Sequence, residues 1–332
     1  VSITADTRRA AKEGGETRPK RCRRRWPSWT LVTFLALWAV IRVGGLEQGS
    51  FLTQLMTLTP LAVVLSALTA LLLVFRNRPA ACVALAACVA FTATVAPRAF
   101  GGPAAAPEGS PLRVLTVNLF GRADAASVVD LVRRYDPDVF SALELTPRAV
   151  TALDAAGLDT LMPHRVLEAD FGATGSGLFA KHPLTALDGL FTPIGHNMPA
   201  ATISLPGGPA AQIVAVHPNP PLGRMTAEWY AALDAFPPAS DEVVRVLAGD
   251  FNASLDHRAL RDLLDRGYHD AAERAGKGLV PTWPNGRWMP PLITIDHILT
   301  DRRAGVARVE ILDVPRTDHR GVFAELRLPA RP

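Results

Sequence analysis

From residue 110 onward the chain has no cysteine, since Cys22, Cys82 and Cys88 all lie earlier. A disulfide framework and a cysteine-ligated zinc site are thereby excluded from its larger part. The absence suits an oxidising exterior and is equally compatible with a cytoplasm. The same stretch lacks an excess of positive charge. Residues 110–332 carry 22 Lys and Arg against 26 Asp and Glu, whereas the whole chain is +4. Proteins that bind duplex DNA draw most of their affinity from phosphate neutralisation, so this balance counts against a nucleic-acid partner. Positive charge is concentrated instead in residues 1–26, which hold nine Lys and Arg against three acids and show no apolar period. That composition is expected of a disordered tail.

Apolar residues are unevenly placed. Mean hydropathy is +0.16 although 20% of residues are charged, and the first hundred residues account for it. Three apolar runs, approximately 29–46, 51–75 and 79–96, each approach the roughly 20 residues that a helix needs to cross about 30 Å of hydrocarbon. A cleaved signal peptide competes for the first run, but that run is long for a signal and two more follow. The expected organisation is a basic tail at 1–26, a three-helix membrane anchor at 27–97, a Gly/Ala/Pro linker at 98–111 and a separate domain at 112–332. Lys and Arg resist translocation. The tail and the Arg76/Arg78 turn therefore predict a cytoplasmic N-terminus, and three crossings would place everything after Ala96 outside a cytoplasmic membrane. Arg42, near the end of the first run, is expected to snorkel to the interface.

Beyond the linker the period shortens. Residues 112–119 and 138–145 read as strands around a helix at 125–135. Further β-like runs occur at 177–180, 200–205, 212–217, 243–248, 293–300, 306–312 and 322–328, with helices near 226–235 and 257–266. Many strands with a few helices between them predict an α/β sandwich.

Polar residues recur where these apolar strands end: Asn118, Glu144, His217, Asp250, Asn252, Asp296, Asp318 and His319. Singly, each has a commoner structural use, as a solvated strand-end carboxylate, a turn former or a core histidine. Together, in the order Asn118, Glu144, His217-Pro218, Gly249-Asp250-Phe251-Asn252, Ile295-Asp296-His297-Ile298 and Thr317-Asp318-His319, the set resembles the endonuclease/exonuclease/phosphatase superfamily across residues 112–328. The resemblance implies a four-layer αββα sandwich, two packed mixed β-sheets flanked by helices, with the site at one edge of the sheets. It implies that Glu144 binds a divalent metal, Mg or possibly Mn, with Asn118 and Asp318 completing or supporting the coordination. Asp250 would orient or deprotonate the attacking water, and Asn252 would hold a phosphate oxygen. Asp296 would fix the tautomer of His319, and His217 would contact the phosphoryl group or assist the leaving oxygen. Hard oxygen ligands suit such a cation, and no Ser or Cys nucleophile is needed. The sequence departs from the family's usual pattern at Leu143, where Gln commonly precedes the Glu, and at Gly321, where many members have Pro. Arg320 either adds a cation near the substrate or belongs to a solvated turn.

A membrane-tethered phosphatase or pyrophosphatase follows as the expected activity. A linker of ~15 residues reaches at most about 50 Å, which keeps the site near the membrane surface. The expected partner is a phosphorylated lipid, foremost a polyprenyl (undecaprenyl) pyrophosphate of the cell envelope. Anchor and domain together also look like the VanJ-type membrane-anchored members associated with glycopeptide resistance. A tethered nuclease or phosphodiesterase and a non-catalytic envelope-binding module are the alternatives. The loop with Thr282, Trp283 and Trp288 is expected to pack on itself, with a pocket-shaping or lipid-touching role as the alternative, and His196 and Asn197 are lesser candidates.

Overall fold

A computed structural model describes residues 26–101, 109–286 and 288–329. The tail at 1–25 and most of the expected linker fall outside these residues. The N-terminal part is four helices, α1 (Trp26–Gly44), α2 (Gly49–Met56), α3 (Thr59–Leu73) and α4 (Arg78–Val95), closed by a 3₁₀ turn at Ala96–Ala99. Gly45 follows α1 in the left-handed region (φ +60°), a conformation that ends helices cheaply only at glycine. Pro60 and Pro79 occupy the first turns of α3 and α4, where a missing N–H costs nothing. Leu35, Trp38, Met56, Ala62 and Phe91 pack the bundle, with Trp38 edge-on to Phe91 at 5.6 Å.

The second apolar run is not one straight span. It breaks at Thr57 and Leu58, and α2 and α3 meet at 75°. Two helical stretches, Pro27–Gly44 and Arg78–Ala99, are long and apolar enough to cross a membrane, or three if the bent pair counts as one. Two crossings return the chain to the side of its N-terminus and three leave it opposite, so the break bears directly on sidedness.

The remainder forms two six-stranded sheets. The first is built from β1 (Ser110–Asn118), β2 (Val139–Leu143), β3 (His164–Glu168), β4 (Ser176–Ala180), and, from the far end of the chain, β11 (Gly305–Leu312) and β12 (Gly321–Leu328). Its order is β11-β12-β1-β2-β4-β3. The second contains β5 (Leu184–Ala186), β6 (Ala200–Ile203), β7 (Ala211–Val216), β8 (Val244–Asp250), β9 (Tyr268–Asp270) and β10 (Asp296–Asp301), in the order β5-β6-β7-β8-β10-β9. Each sheet is mixed, with one parallel pair near its centre, β1 with β2 and β7 with β8. Helices α5 (Ala125–Tyr135), α6 (Pro147–Ala155) and α7 (Leu158–Leu161) cover the first sheet. Helices α8 (Met225–Ala235) and α9 (Arg258–Asp265) cover the second, and α10 (Ala271–Arg274) lies beside β9 and β10.

The facing surfaces are dry. Leu112, Val114, Val139, Leu178, Ile213, Val246, Ile298 and Ala324 interlock between the sheets, and Ser141 on β2 reaches across to the carbonyl of Ala248 on β8 at 2.9 Å. The expected layered sandwich is thus present as two packed mixed sheets with helices outside. A parallel pair brings two strand ends to the same edge, and packing the sheets brings both edges together; that is how the fold gathers side chains from distant positions.

The N-terminal helices are docked on this sandwich, not loosely tethered to it. Arg42 Nε lies 2.6 Å from Asp256 Oδ1, and Arg98 grips both oxygens of the same carboxylate at 2.7 Å. Arg42 is therefore buried in an ion pair and does not snorkel to an interface; a carboxylate already desolvated by the sandwich competes successfully for it. Arg98 likewise places the start of the expected linker inside the fold. Nearby, His257 Nε2 donates to the Thr53 carbonyl (2.8 Å) while Nδ1 accepts from the Ser254 N–H (2.8 Å), which fixes a neutral imidazole. Tyr230 donates to the Glu47 carbonyl, and Ser50 Oγ joins the carbonyl of Pro221 and the N–H of Gly223.

Candidate active site

Every predicted site residue comes to one edge of the packed sheets. Asn118 ends β1, and Glu144 directly follows β2 in the left-handed region (φ +49°). His217 follows β7, and Asp250 ends β8. Asp296 opens β10 and is the register partner of Asp250, which places both carboxylates on the same face. Asp318 and His319 precede β12, on a turn where Thr317 Oγ1 donates to the Asn118 carbonyl at 2.7 Å and accepts from the His319 N–H.

The contacts are close. Asn118 Nδ2 donates to Glu144 Oε1 and to Asp250 Oδ2, both at 3.2 Å, while its Oδ1 accepts from the Phe120 N–H. The amide thus supports two carboxylates through its nitrogen. His319 Nδ1 faces Asp296 at 3.0 Å, and its Nε2 lies 3.6 Å from Asp250. His217 Nε2 lies 4.0 Å from Glu144 and 3.9 Å from Asp250. Asn252, also left-handed (φ +49°), donates to the Pro218 carbonyl, and its N–H is held by Asp250 Oδ1. Asp318 Oδ2 accepts from Trp283 Nε1 at 3.4 Å.

Burial and crowding perturb the titrations in a way typical of functional sites. Asp250 is pushed up to about 7, first by burial and then by neighbouring Asp296, against the opposing pull of His319. Burial raises the Glu144 carboxyl, with Asp318 and Asp296 adding to it. For His319 burial works in the other direction, but Asp296 and then Asp250 outweigh it and hold the imidazole protonated, at about 10. Burial, followed by repulsion from His196 and His319, keeps His217 well below the ordinary histidine range.

Glu144, Asp250 and Asp296 crowd around the His319 imidazole at this edge. Asp250, Asp296 and His319 offer ligand atoms all within 4.8 Å of one another, and Glu144 shares the Asn118 amide with Asp250. Crowded hard oxygen donors of this kind fit a divalent cation.

The fold shown by the sheets is matched by the sequence. A model of the Endonuclease/Exonuclease/phosphatase family matches residues 115–319. The chain belongs to the Endonuclease/Exonuclease/phosphatase family. Members of this family are hydrolases acting on phosphoester bonds and are typically dependent on divalent metals. No curated protein matches the sequence. Among solved structures, a family member from Beutenbergia cavernae is similar at 20% identity, with a TM-score of 0.50, over 67% of this chain and 72% of that one. One from Bacteroides thetaiotaomicron is similar at 16% identity and a TM-score of 0.51, over 67% and 96%. D. rerio TDP2 complexed with single strand DNA product is similar at 17% identity and a TM-score of 0.51, over 66% and 99%. At these identities the likeness shows the fold alone.

The lesser candidates of the sequence divide, and Arg122 and Arg316 join the site without having been apparent from it. His196, a lesser candidate, lies tilted against His217 with ring centroids 4.5 Å apart and Nδ1 atoms 3.2 Å apart, so one ring must accept where the other donates. Thr282 is buried and accepts from the N–H groups of Ile295 and Asp296, pinning the start of β10. Its neighbour Trp283 touches the site through Asp318, whereas Trp288 is exposed. Arg122 and Arg316 line a cavity of about 530 Å³ together with Asp318. Asn197 is turned outward to the Glu168 carbonyl, and Arg320 is engaged by Asp313 and the Pro281 carbonyl, as a turn residue would be.

Proposed function

We propose that this family member hydrolyses a phosphoester or, preferentially, a pyrophosphate on a lipid, foremost a polyprenyl (undecaprenyl) pyrophosphate, with Mg²⁺ as the working cation. The observation that carries the reading is geometric: Asp250 and Asp296 are register partners at one strand edge, and His319 lies between them, with Nδ1 3.0 Å from Asp296 and Nε2 3.6 Å from Asp250, while burial raises the Asp250 carboxyl. A carboxylate poised near neutral pH is matched to removing a proton from water. His319, oriented by Asp296, directs its Nε2–H toward the space that Asp250 faces, where it can hold a phosphoryl oxygen. Asn252 and neutral His217 flank the same space.

Glu144, held by Asn118, and Asp318 would hold the cation, which when bound neutralises charge on the phosphoryl oxygens, leaving Asp250 to the water. In the displacement a water oxygen bonds to phosphorus, the bridging P–O bond breaks, and the water's proton passes to Asp250. A departing phosphate leaves as a stable anion and needs no proton, which favours an anhydride over a simple ester. Arg122 and Arg316, beside Asp318, supply positive charge for a second phosphate.

Support for a lipid comes from the docked anchor, which places apolar helices against the site. An outer-leaflet location requires the bent pair to cross the membrane, and a contribution to glycopeptide resistance belongs to the same proposal. Phosphate release from undecaprenyl pyrophosphate by the full-length protein with Mg²⁺ tests it. Asp250→Ala and His319→Ala should each abolish release; undiminished release from either would refute the assignment. A nuclease is the second reading, favoured only by the fold shared with TDP2, whose structure holds a single strand DNA product. Incubation with single-stranded and plasmid DNA separates the two, and the acidic balance of residues 110–332 predicts no cleavage.

A further inference from the structure

We infer that the bend between α2 and α3 is part of the substrate site, and that it receives the hydrocarbon chain of an amphiphilic phosphate ester whose head lies at His319. The inference rests on the phosphohydrolase reading above and adds where the rest of the substrate goes.

A cavity of about 770 Å³ is lined by catalytic-edge residues Asn252 and His319 and, in the same wall, by Phe51, Leu55, Leu58 and Leu292. That volume is within the range of ligand pockets. Its chemistry changes along its lining, from the Asn252 amide and the His319 imidazole to mostly aliphatic and aromatic side chains interspersed with Ser50, Gln54 and Thr57, which suits one molecule with a phosphate head and an apolar tail. The break itself creates the opening. A straight helix would carry its side chains past the sandwich, whereas the 75° bend turns Leu55, Thr57 and Leu58 toward it.

The wall opposite the anchor is held in place before any ligand arrives. Ser50 Oγ donates to the Pro221 carbonyl and accepts from the Gly223 N–H, fixing the Pro220–Leu222 segment that follows His217. On the other side, Leu58, Leu61 and Leu65 recur at helical spacing and are each more than a third exposed. An apolar chain leaving the cavity would therefore continue along α3 within the same hydrocarbon layer that the helix occupies. A nucleic acid would gain little from such a surface, since burying its polar groups against it leaves them unpaired.

Competing turnover of a long-chain and a five-carbon prenyl diphosphate by the full-length protein in detergent micelles tests the groove. The wild type should prefer the long chain, by kcat/KM, at least tenfold, and Leu55→Trp and Leu292→Trp, which fill the cavity, should erase that preference. Equal preference in wild type and both variants would overturn the inference. If neither diphosphate is hydrolysed, the proposed reaction fails and labelling decides the groove separately. A long-chain alkyl phosphate with a photoactivatable group in mid-chain, presented in phosphatidylcholine vesicles, should label residues 51–58 or Leu292; labelling confined to other segments would refute it.

Discussion

Asp250 and Asp256 lie on the same short stretch of chain, and both are buried, yet their surroundings push their acidities in opposite directions. Asp256 meets two guanidinium groups that use both its oxygens; burial raises its carboxyl, but Arg98 and Arg42 prevail and hold it below the usual carboxylate range. Asp250 meets another carboxylate, an amide and one shared histidinium, and rises to about 7. The first arrangement is saturated and joins two parts of the molecule. The second sets one carboxylate against another, with only His319 to offset them, and burial together with that crowding is what raises Asp250.

Replacement at each position should separate the two roles. Asp250→Asn keeps shape and removes the base, so turnover should fall by about 10²–10⁴-fold while the thermal midpoint is unchanged or higher, because repulsion with Asp296 is relieved. A loss of stability instead would show that Asp250 is structural. Asp256→Ala leaves two buried guanidinium groups unpaired and should cost about 3 kcal/mol, seen as a lower midpoint and earlier proteolytic cutting between the anchor and β1. If its midpoint matched that of the wild type, the ion pair would not be what docks the anchor.

The junction should also respond to pH through His257, whose imidazole burial lowers to about 4. Its folded pKa lies below the unfolded one, so the unfolded chain binds the proton more readily. The stability is fully present above about 6.5 and declines as pH falls toward 4. By pH 5.5 the loss should approach roughly 1.4 kcal/mol, and His257→Gln should flatten that part of the stability profile. The smallest effect belongs to Arg98→Lys, which keeps the charge but loses the two-pronged grip; about 1 kcal/mol is expected in denaturant unfolding, well short of Asp256→Ala.

Much of the catalytic edge was legible because strand ends announce themselves: an apolar run stops at or just before Asn118, Glu144, His217 or Asp250, while Asp296 instead opens β10. What holds those residues was less visible. The contact of Arg42 with Asp256 joins positions 214 residues apart and leaves no local pattern. The break at Thr57 and Leu58 contains neither Gly nor Pro, and only Pro60, tolerated in a first turn, marks a new helix start. Strand β3 escaped notice because its residues are half-exposed and do not alternate cleanly. Helix α6 was missed although Thr146 and Pro147 form a recognisable cap, with Thr146 Oγ1 accepting from the Ala149 N–H.

The account stands most directly on the claim that Glu144 and Asp318 hold a divalent cation beside Asp250. Titration of the full-length protein with Mg²⁺ or Mn²⁺ in a calorimeter measures this without any substrate. Saturable binding that Glu144→Gln and Asp318→Asn each weaken at least tenfold is the predicted result. No binding to the wild type, or binding indifferent to both substitutions, would contradict it.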